Sequence, residues 1–124
     1  MLIIGDVHGN FDQYKKIIED HDCSIQLGDF GFKKEHDRFL KEVYTEQNKH
    51  RILFGNHDYY PYINKPYSLG DYIYLPDEDI FCIRGAYSID KNSRTLGIDY
   101  FPDEEISYTK FDEILKIYIE AKPN

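Results

Sequence analysis

The chain predicts an α/β fold that begins β-α-β-α-β, and three observations carry that prediction. Three short apolar runs, Leu2-Ile3-Ile4, Cys23-Ser24-Ile25-Gln26-Leu27 and Arg51-Ile52-Leu53-Phe54, each close on a glycine: Gly5, Gly28 and Gly55. Helical periodicity separates them, and an amphipathic stretch near the end predicts a C-terminal helix. Strands that alternate with helices in this way make parallel sheets through right-handed crossovers.

The elements follow in order. The first helix places Phe11, Tyr14, Ile17 and Ile18 on one face, with Asn10 as N-cap and Gln13 three residues on to complete a capping box. The second, near Glu35 to Gln47, carries Phe39, Leu40, Val43 and Tyr44 on one stripe. After Asp58 the texture changes to Tyr59-Tyr60-Pro61-Tyr62. Two strands, Asp71 to Leu75 and Ile80 to Arg84, then flank a turn at Pro76-Asp77-Glu78-Asp79. Gly85 to Pro102 predicts a long loop, a length that compact domains reserve for functional or mobile segments. The last helix, about Ser107 to Ala121, sets Phe111, Ile114, Leu115 and Tyr118 on one face and stops before Pro123. Repeats, low-complexity tracts and linkers are absent from the sequence, so residues 1–124 predict a single domain.

Composition narrows the function. The formal charge is −8, from 15 Lys and Arg against 23 Asp and Glu, and the longest basic clusters are pairs, Lys15-Lys16 and Lys33-Lys34. That argues against a broad nucleic-acid groove, which needs a concentrated positive face. Apolar runs stay far below the ~20 residues of a membrane span. Met1-Leu2-Ile3-Ile4 is too short for the apolar region of a signal peptide, so the chain is expected to start inside its own core strand and to be cytoplasmic. Cys23 and Cys82 lie in apolar stretches and are expected to be reduced core thiols. His21, His36 and His50 sit in or beside charged segments and are expected to be solvated. Tyr59, Tyr60, Tyr62 and Tyr67 are expected to serve mainly in packing and surface loops, with a substrate pocket as the alternative.

The chemistry lies in three turns. Gly5-Asp6-Val7-His8-Gly9-Asn10, Gly28-Asp29-Phe30-Gly31 and Gly55-Asn56-His57-Asp58 fall at the carboxyl ends of the three parallel strands, where α/β sheets gather ligand-binding groups. Asp6 and His8, two residues apart on an extended segment, offer one carboxylate and one imidazole to a single cation. Asp29 reaches the same place from the neighbouring strand, and Asn56 adds a neutral carbonyl oxygen. This mixed nitrogen and oxygen set suits Mn²⁺, Fe, Zn²⁺ or Ni²⁺ better than Ca²⁺. Bound divalent cations would also give an acidic protein the local positive charge that phosphate handling requires. Arg84 and Arg94 are candidates for binding phosphate bidentately.

These turns resemble the early motifs of the calcineurin-like metallophosphoesterases, GDxH, GDxx and GNH followed by Asp or Glu, in order and over essentially the whole chain. The resemblance implies that Asp6 and His8 ligate a first metal, Asp29 bridges, Asn56 ligates a second, His57 acts at the leaving group and Asp58 orients His57. It implies metal-dependent hydrolysis of a phosphoester, with Mn²⁺ as the expected cofactor. The stretch Gly85-Ala86-Tyr87-Ser88-Ile89-Asp90, with Arg94 and Tyr100-Phe101-Pro102, also resembles a phage or bacterial subgroup. Gly28-Asp29-Phe30-Gly31 lacks the Asp-Arg-Gly continuation of protein phosphatases, which points to a small phosphoester or nucleotide substrate.

The family pattern continues with further histidines and a Gly-His-x-His motif, whereas no histidine follows His57 in this sequence. The expectation is a C-terminally truncated metallophosphoesterase-like sheet with an incomplete dinuclear site and open apolar surface. A homodimer or a complementing second chain is the expected remedy. Two functional readings stay open. One is a phosphoesterase completed by another chain, and the other is a catalytically inactive descendant that acts as a binding or regulatory module. Retention of Asp6, His8, Asp29, Asn56, His57 and Asp58 together favours the enzyme.

Overall fold

A computed structural model describes residues 1–31, 33–45, 47–85 and 87–123. Three parallel strands, β1 (Leu2–Ile4), β2 (Cys23–Gln26) and β3 (Lys49–Ile52), lie in the order β1-β2-β3. Leu2 stands opposite Ser24, Cys23 opposite Lys49 and Gln26 opposite Ile52. The two crossovers carry α1 (Phe11–Ile18) and α2 (Asp37–Val43). Asn10 caps α1 through its Oδ1, which accepts from the Gln13 amide, while its Nδ2 donates to Gln13 Oε1 at 2.8 Å. The N-cap is therefore present, but the capping box is replaced by a side-chain pair, since Gln13 Oε1 accepts from the Asn10 carboxamide and not from its backbone amide.

Successive residues Ile52, Leu53 and Phe54 alternate between two apolar clusters, as extended backbone requires. The larger cluster joins Ile52 and Phe54 to Tyr14, Ile18, Phe30, Leu40, Tyr60 and Tyr67, with the Tyr14 ring edge-on to Phe30 at 4.9 Å. The smaller joins Ile25 and Leu53 to Leu69 and Cys82, and so attaches an antiparallel hairpin of β4 (Tyr72–Leu75) and β5 (Ile80–Ile83). Residues 67–69 run beside Ile52, whose amide donates to the Tyr67 carbonyl (2.8 Å) and whose carbonyl accepts from the Leu69 amide (2.9 Å), covering the outer edge of β3.

Several expectations need correction. β3 pairs from Lys49 to Ile52 rather than from Arg51 to Phe54, because the strand follows its ladder to β2 and not its most apolar triplet. The second helix is a 3₁₀ turn (Lys34–His36) leading into α2, and it ends where Tyr44 turns extended and bridges to Lys49. His50 is buried, not solvated, and its Nδ1 lies 3.0 Å from Ser24 Oγ across the sheet. The long loop contains 3₁₀ turns at Lys91–Ser93 and Pro102–Glu104. Ala86, inside the stretch read above as a subgroup feature, lies outside the described residues.

The last helix, α3 (Tyr108–Ala121), is capped by Ser107, whose Oγ accepts from the Lys110 amide, and closed by Lys122 in the left-handed conformation. Of the four apolar residues expected on its inner face, only Ile114 is buried. Phe111, Leu115 and Tyr118 stay 42–49% exposed. Tyr118 still meets the Phe81 ring edge-on at 5.3 Å. Among the described residues, no helix is long and apolar enough to cross a membrane.

Candidate active site

The three turns are fastened to one another by backbone. The Asp29 carbonyl accepts from the amides of Val7 (3.2 Å) and His8 (3.0 Å), and the Phe30 carbonyl accepts from Gly9 (2.8 Å). This contact is close enough that a Cβ on Gly31 would sit 2.4 Å from the Gly9 nitrogen. Gly55 meets the second turn as closely, since a Cβ there would fall 2.3 Å from Asp29 Oδ1. Glycine at these two positions is what lets three strand ends converge. Behind them, the buried Gln26 carboxamide donates to the carbonyls of Gly5 (3.1 Å) and Gly28, and accepts from the Gly28 amide (3.2 Å). A glutamine in an otherwise apolar strand is thereby satisfied, and it ties two of the turns together.

Convergence brings Asp6, His8 and Asp29 into one group, with donor atoms all within 4.8 Å of one another. His8 Nε2 lies 3.3 Å from Asp6 Oδ2, and both side chains are about 60% exposed. Two carboxylates and an imidazole fit a first-row divalent cation in donor type. The backbone also holds them ready: His8 (φ 48°) and Asp29 (φ 47°) are both left-handed, a conformation that non-glycine residues adopt at a cost of ~1–2 kcal/mol.

The third turn arrives beside this group. The His57 amide donates to Asp29 Oδ1 at 3.1 Å, and the His57 ring stands 6.5 Å from the His8 ring. The carboxylate beside the His57 imidazole is Asp90, 3.6 Å from Nε2. Asp58, read from sequence as the residue that orients His57, instead folds back within its own turn. Its buried Oδ2 accepts from the Gly55 amide at 2.9 Å. Asn56 donates from Nδ2 to the Ser88 hydroxyl at 3.0 Å.

The two arginines are not disposed to bind phosphate. Arg84 donates to Asp71 Oδ1 from Nε (2.9 Å) and Nη2 (2.6 Å) and to the Asp103 carbonyl from Nη1 (2.6 Å). Arg94, only 6% exposed, pairs with the fully buried Glu104 at 2.6 Å. It also donates to the carbonyls of Asn56 and Asp99, each at 2.7 Å, and to Ser88 Oγ. Both guanidiniums are committed to protein acceptors, and Arg94 acts as a post beneath the third turn.

Four residues to which the sequence reading gave no site role complete this support: Gln26, Ser88, Asp90 and Glu104. The Ser88 hydroxyl donates to Asp90 Oδ1 at 2.5 Å. That hydrogen bond holds the Asp90 carboxyl below the usual carboxylate range, with the charges of Arg94 and His57 adding to it. Gln26 had a signal in the sequence, a polar residue inside an apolar run. Ser88 and Asp90 stand in the stretch read above as a subgroup feature, but nothing local links them to the third turn, since Asn56 lies 32 residues from Ser88; Glu104 had no signal, its partner Arg94 lying 10 residues back.

A cleft of about 970 Å³ opens over His8 and His57. Phe11, Tyr59, Ile98 and Phe101 give it an apolar lining, and Lys33 and Lys34 set two cations at its wall beside Glu35 and Asp99. Of the four tyrosines considered above, Tyr59 lines this cleft while Tyr60 and Tyr67 are core residues.

The family model described as calcineurin-like phosphoesterase matches residues 1–123. Neither a curated protein nor a solved structure matches the chain.

Proposed function

From the premise that the chain belongs to the calcineurin-like phosphoesterase family, we propose that it is a metal-dependent hydrolase of small phosphoesters. The observation that carries this reading is the convergence of Asp6, His8 and Asp29 within 4.8 Å, with His8 opening onto a cleft that His57 also lines. Asp6, His8 and Asp29 hold a divalent cation, Mn²⁺ in the first instance, and the Asn56 carboxamide oxygen serves a second. When bound, such ions supply Lewis acidity toward a phosphoryl oxygen and a more acidic water nucleophile. His57 donates a proton to the departing alkoxide, with the Asp90 carboxylate 3.6 Å from its Nε2. Phe11, Tyr59 and Phe101 receive an apolar or aromatic leaving group such as a nucleoside, and Lys33 and Lys34 attract the anionic substrate. Residues 1–124 act as one domain. Coordination positions beyond these donors fall to water, to substrate or to a second polypeptide, for which a second copy is the simplest source.

Calorimetric titration with Mn²⁺, run beside an assay on an aryl phosphate, tests the proposal. Wild type should bind the ion and Asp29→Ala should not. His57→Ala should keep its binding heat but lose about 10²–10⁴ in kcat, the worth of a positioned acid. Equal heats from wild type and Asp29→Ala would overturn the metal assignment. A second reading, a binding or regulatory module without turnover, draws on the fact that His8 is the one imidazole in the cluster among the described residues. Mn²⁺ uptake that depends on Asp29, with no hydrolysis under any divalent ion, would select that module.

A further inference from the structure

A carboxamide can face a cation with either end, and only the oxygen end binds one. Asn56 comes from a strand-end turn, and nothing in its own backbone chooses between the two. The Ser88 hydroxyl does. It is buried to 1% exposure and surrounded by groups whose hydrogen-bonding roles are fixed. Asp90 Oδ1 at 2.5 Å can only accept, so the hydroxyl hydrogen points there. Arg94 Nη2 can only donate, so it takes one lone pair of Ser88 Oγ. One lone pair remains for Asn56 at 3.0 Å, and the atom that meets it must donate. An Asn56 oxygen at that point would face the hydroxyl's lone pair with no hydrogen between them, leaving a buried acceptor unpaired. Arg94 braces the same residue from its other side by donating to the Asn56 carbonyl at 2.7 Å, and is itself set by the buried Glu104.

We propose that Ser88 is a positioning residue whose saturated hydroxyl locks the Asn56 carboxamide with Nδ2 inward and Oδ1 toward the cation. Polarity runs one way along the relay, from the Arg94 guanidinium and the Asn56 amide into Ser88 and on to the Asp90 carboxylate. It extends the usual logic of metal-site support, in which an outer group fixes the orientation of a ligand. The lock rests on the reading of Asn56 as a ligand, and the experiment separates the two.

Asparagine has a wrong end and aspartate does not. Mn²⁺ is titrated calorimetrically into wild type, Ser88→Ala, Asn56→Asp, the double variant and Asn56→Ala. Ser88→Ala should weaken the Asn56-dependent binding event by about 10–100-fold, the range found for outer supports of metal ligands. Placed on Asn56→Asp, the same change should have little effect, because both ends of a carboxylate are oxygen. Equal weakening in both backgrounds would mean that Ser88 acts only through general packing, and would overturn the lock. No weakening in either would do the same. If Asn56→Ala leaves Mn²⁺ binding unchanged, the ligand assignment fails first and the lock falls with it. A test that needs no folded variant uses wild type alone: nuclear Overhauser contacts should join the Asn56 side-chain NH₂ to the Ser88 β-hydrogens, and their absence would refute the orientation.

Discussion

The chain up to Asp58 and the chain beyond it contribute to one site in opposite ways. The first half supplies donors. Asp6 and His8 project from a strand end and stay more than half exposed, as the proposed cation and substrate would require. The second half supplies no carboxylate or imidazole to that cluster among the described residues, yet it delivers Ser88, Arg94 and Glu104, each nearly inaccessible. Groups that react must be reached by solvent, and groups that hold them are most effective out of it, where each hydrogen bond is stronger and each unpaired atom costs more. Regular secondary structure is no guide to which half matters, since the supporting groups sit in 3₁₀ turns and irregular chain.

The contrast breaks most sharply at Glu104. Replacing it with alanine removes the buried carboxylate that faces Arg94 and leaves only the part-exposed Asp90 at 3.3 Å, so chemical denaturation should show a loss of about 3–5 kcal/mol, the usual result of removing one partner of a buried pair. Asp6→Ala, in the exposed group, should move stability by no more than about 0.5 kcal/mol. Similar losses for the two would erase the distinction between reacting and holding groups.

Within α3 the same test distinguishes one buried residue from its half-exposed neighbours. Ile114→Ala should cost about 2–3 kcal/mol, toward the lower end for a buried isoleucine on a peripheral helix. Leu115→Ala should cost under about 0.5 kcal/mol if its 42% exposure in the structure persists in solution. A comparable loss at Leu115, growing with protein concentration, would show that this face is covered in solution by another molecule.

The smallest effect separates the sheet from both. Burial pushes the His50 imidazole below its ordinary value, nearby His21 adds to the shift, and Asp22 opposes it. The unfolded chain therefore binds the proton more readily, so stability falls as pH drops below about 6.5 and levels off beneath the folded value. His50→Gln should flatten this part of a melting-temperature profile between pH 7 and 5. An unchanged slope would move the pH dependence to other groups.

The legible part of the molecule was whatever rests on neighbours in sequence. Asn10 and Gln13 announce α1, Ser107 announces α3, and the glycine-closed runs mark three strand ends to within two residues. The misplacement of β3 shows why boundaries are harder: Lys49 and His50 read as polar, but cross-strand pairing with Cys23 and Ser24 makes them strand, and Ser24 gives the buried His50 its partner. The site divides likewise. Asp6, His8 and Asp29 were visible because Asp6 and His8 share one glycine-flanked motif and Asp29 stands in another, whereas the partner of His57 was not, because the adjacent Asp58 turns inward to Gly55 and Asp90 arrives from 33 residues downstream. Arg84 and Arg94 were misread for a related reason. A guanidinium looks free in a sequence until its carboxylates are placed.

His8 and Asp29 carry their donor atoms on backbone that glycine would hold at lower cost, and asparagine with less strain than most residues. Thermal hardiness and chemistry therefore pull against each other at these two positions. A library of variants sorted only by survival of heating would drift there toward glycine and asparagine, growing sturdier as it discarded the imidazole and the carboxylate.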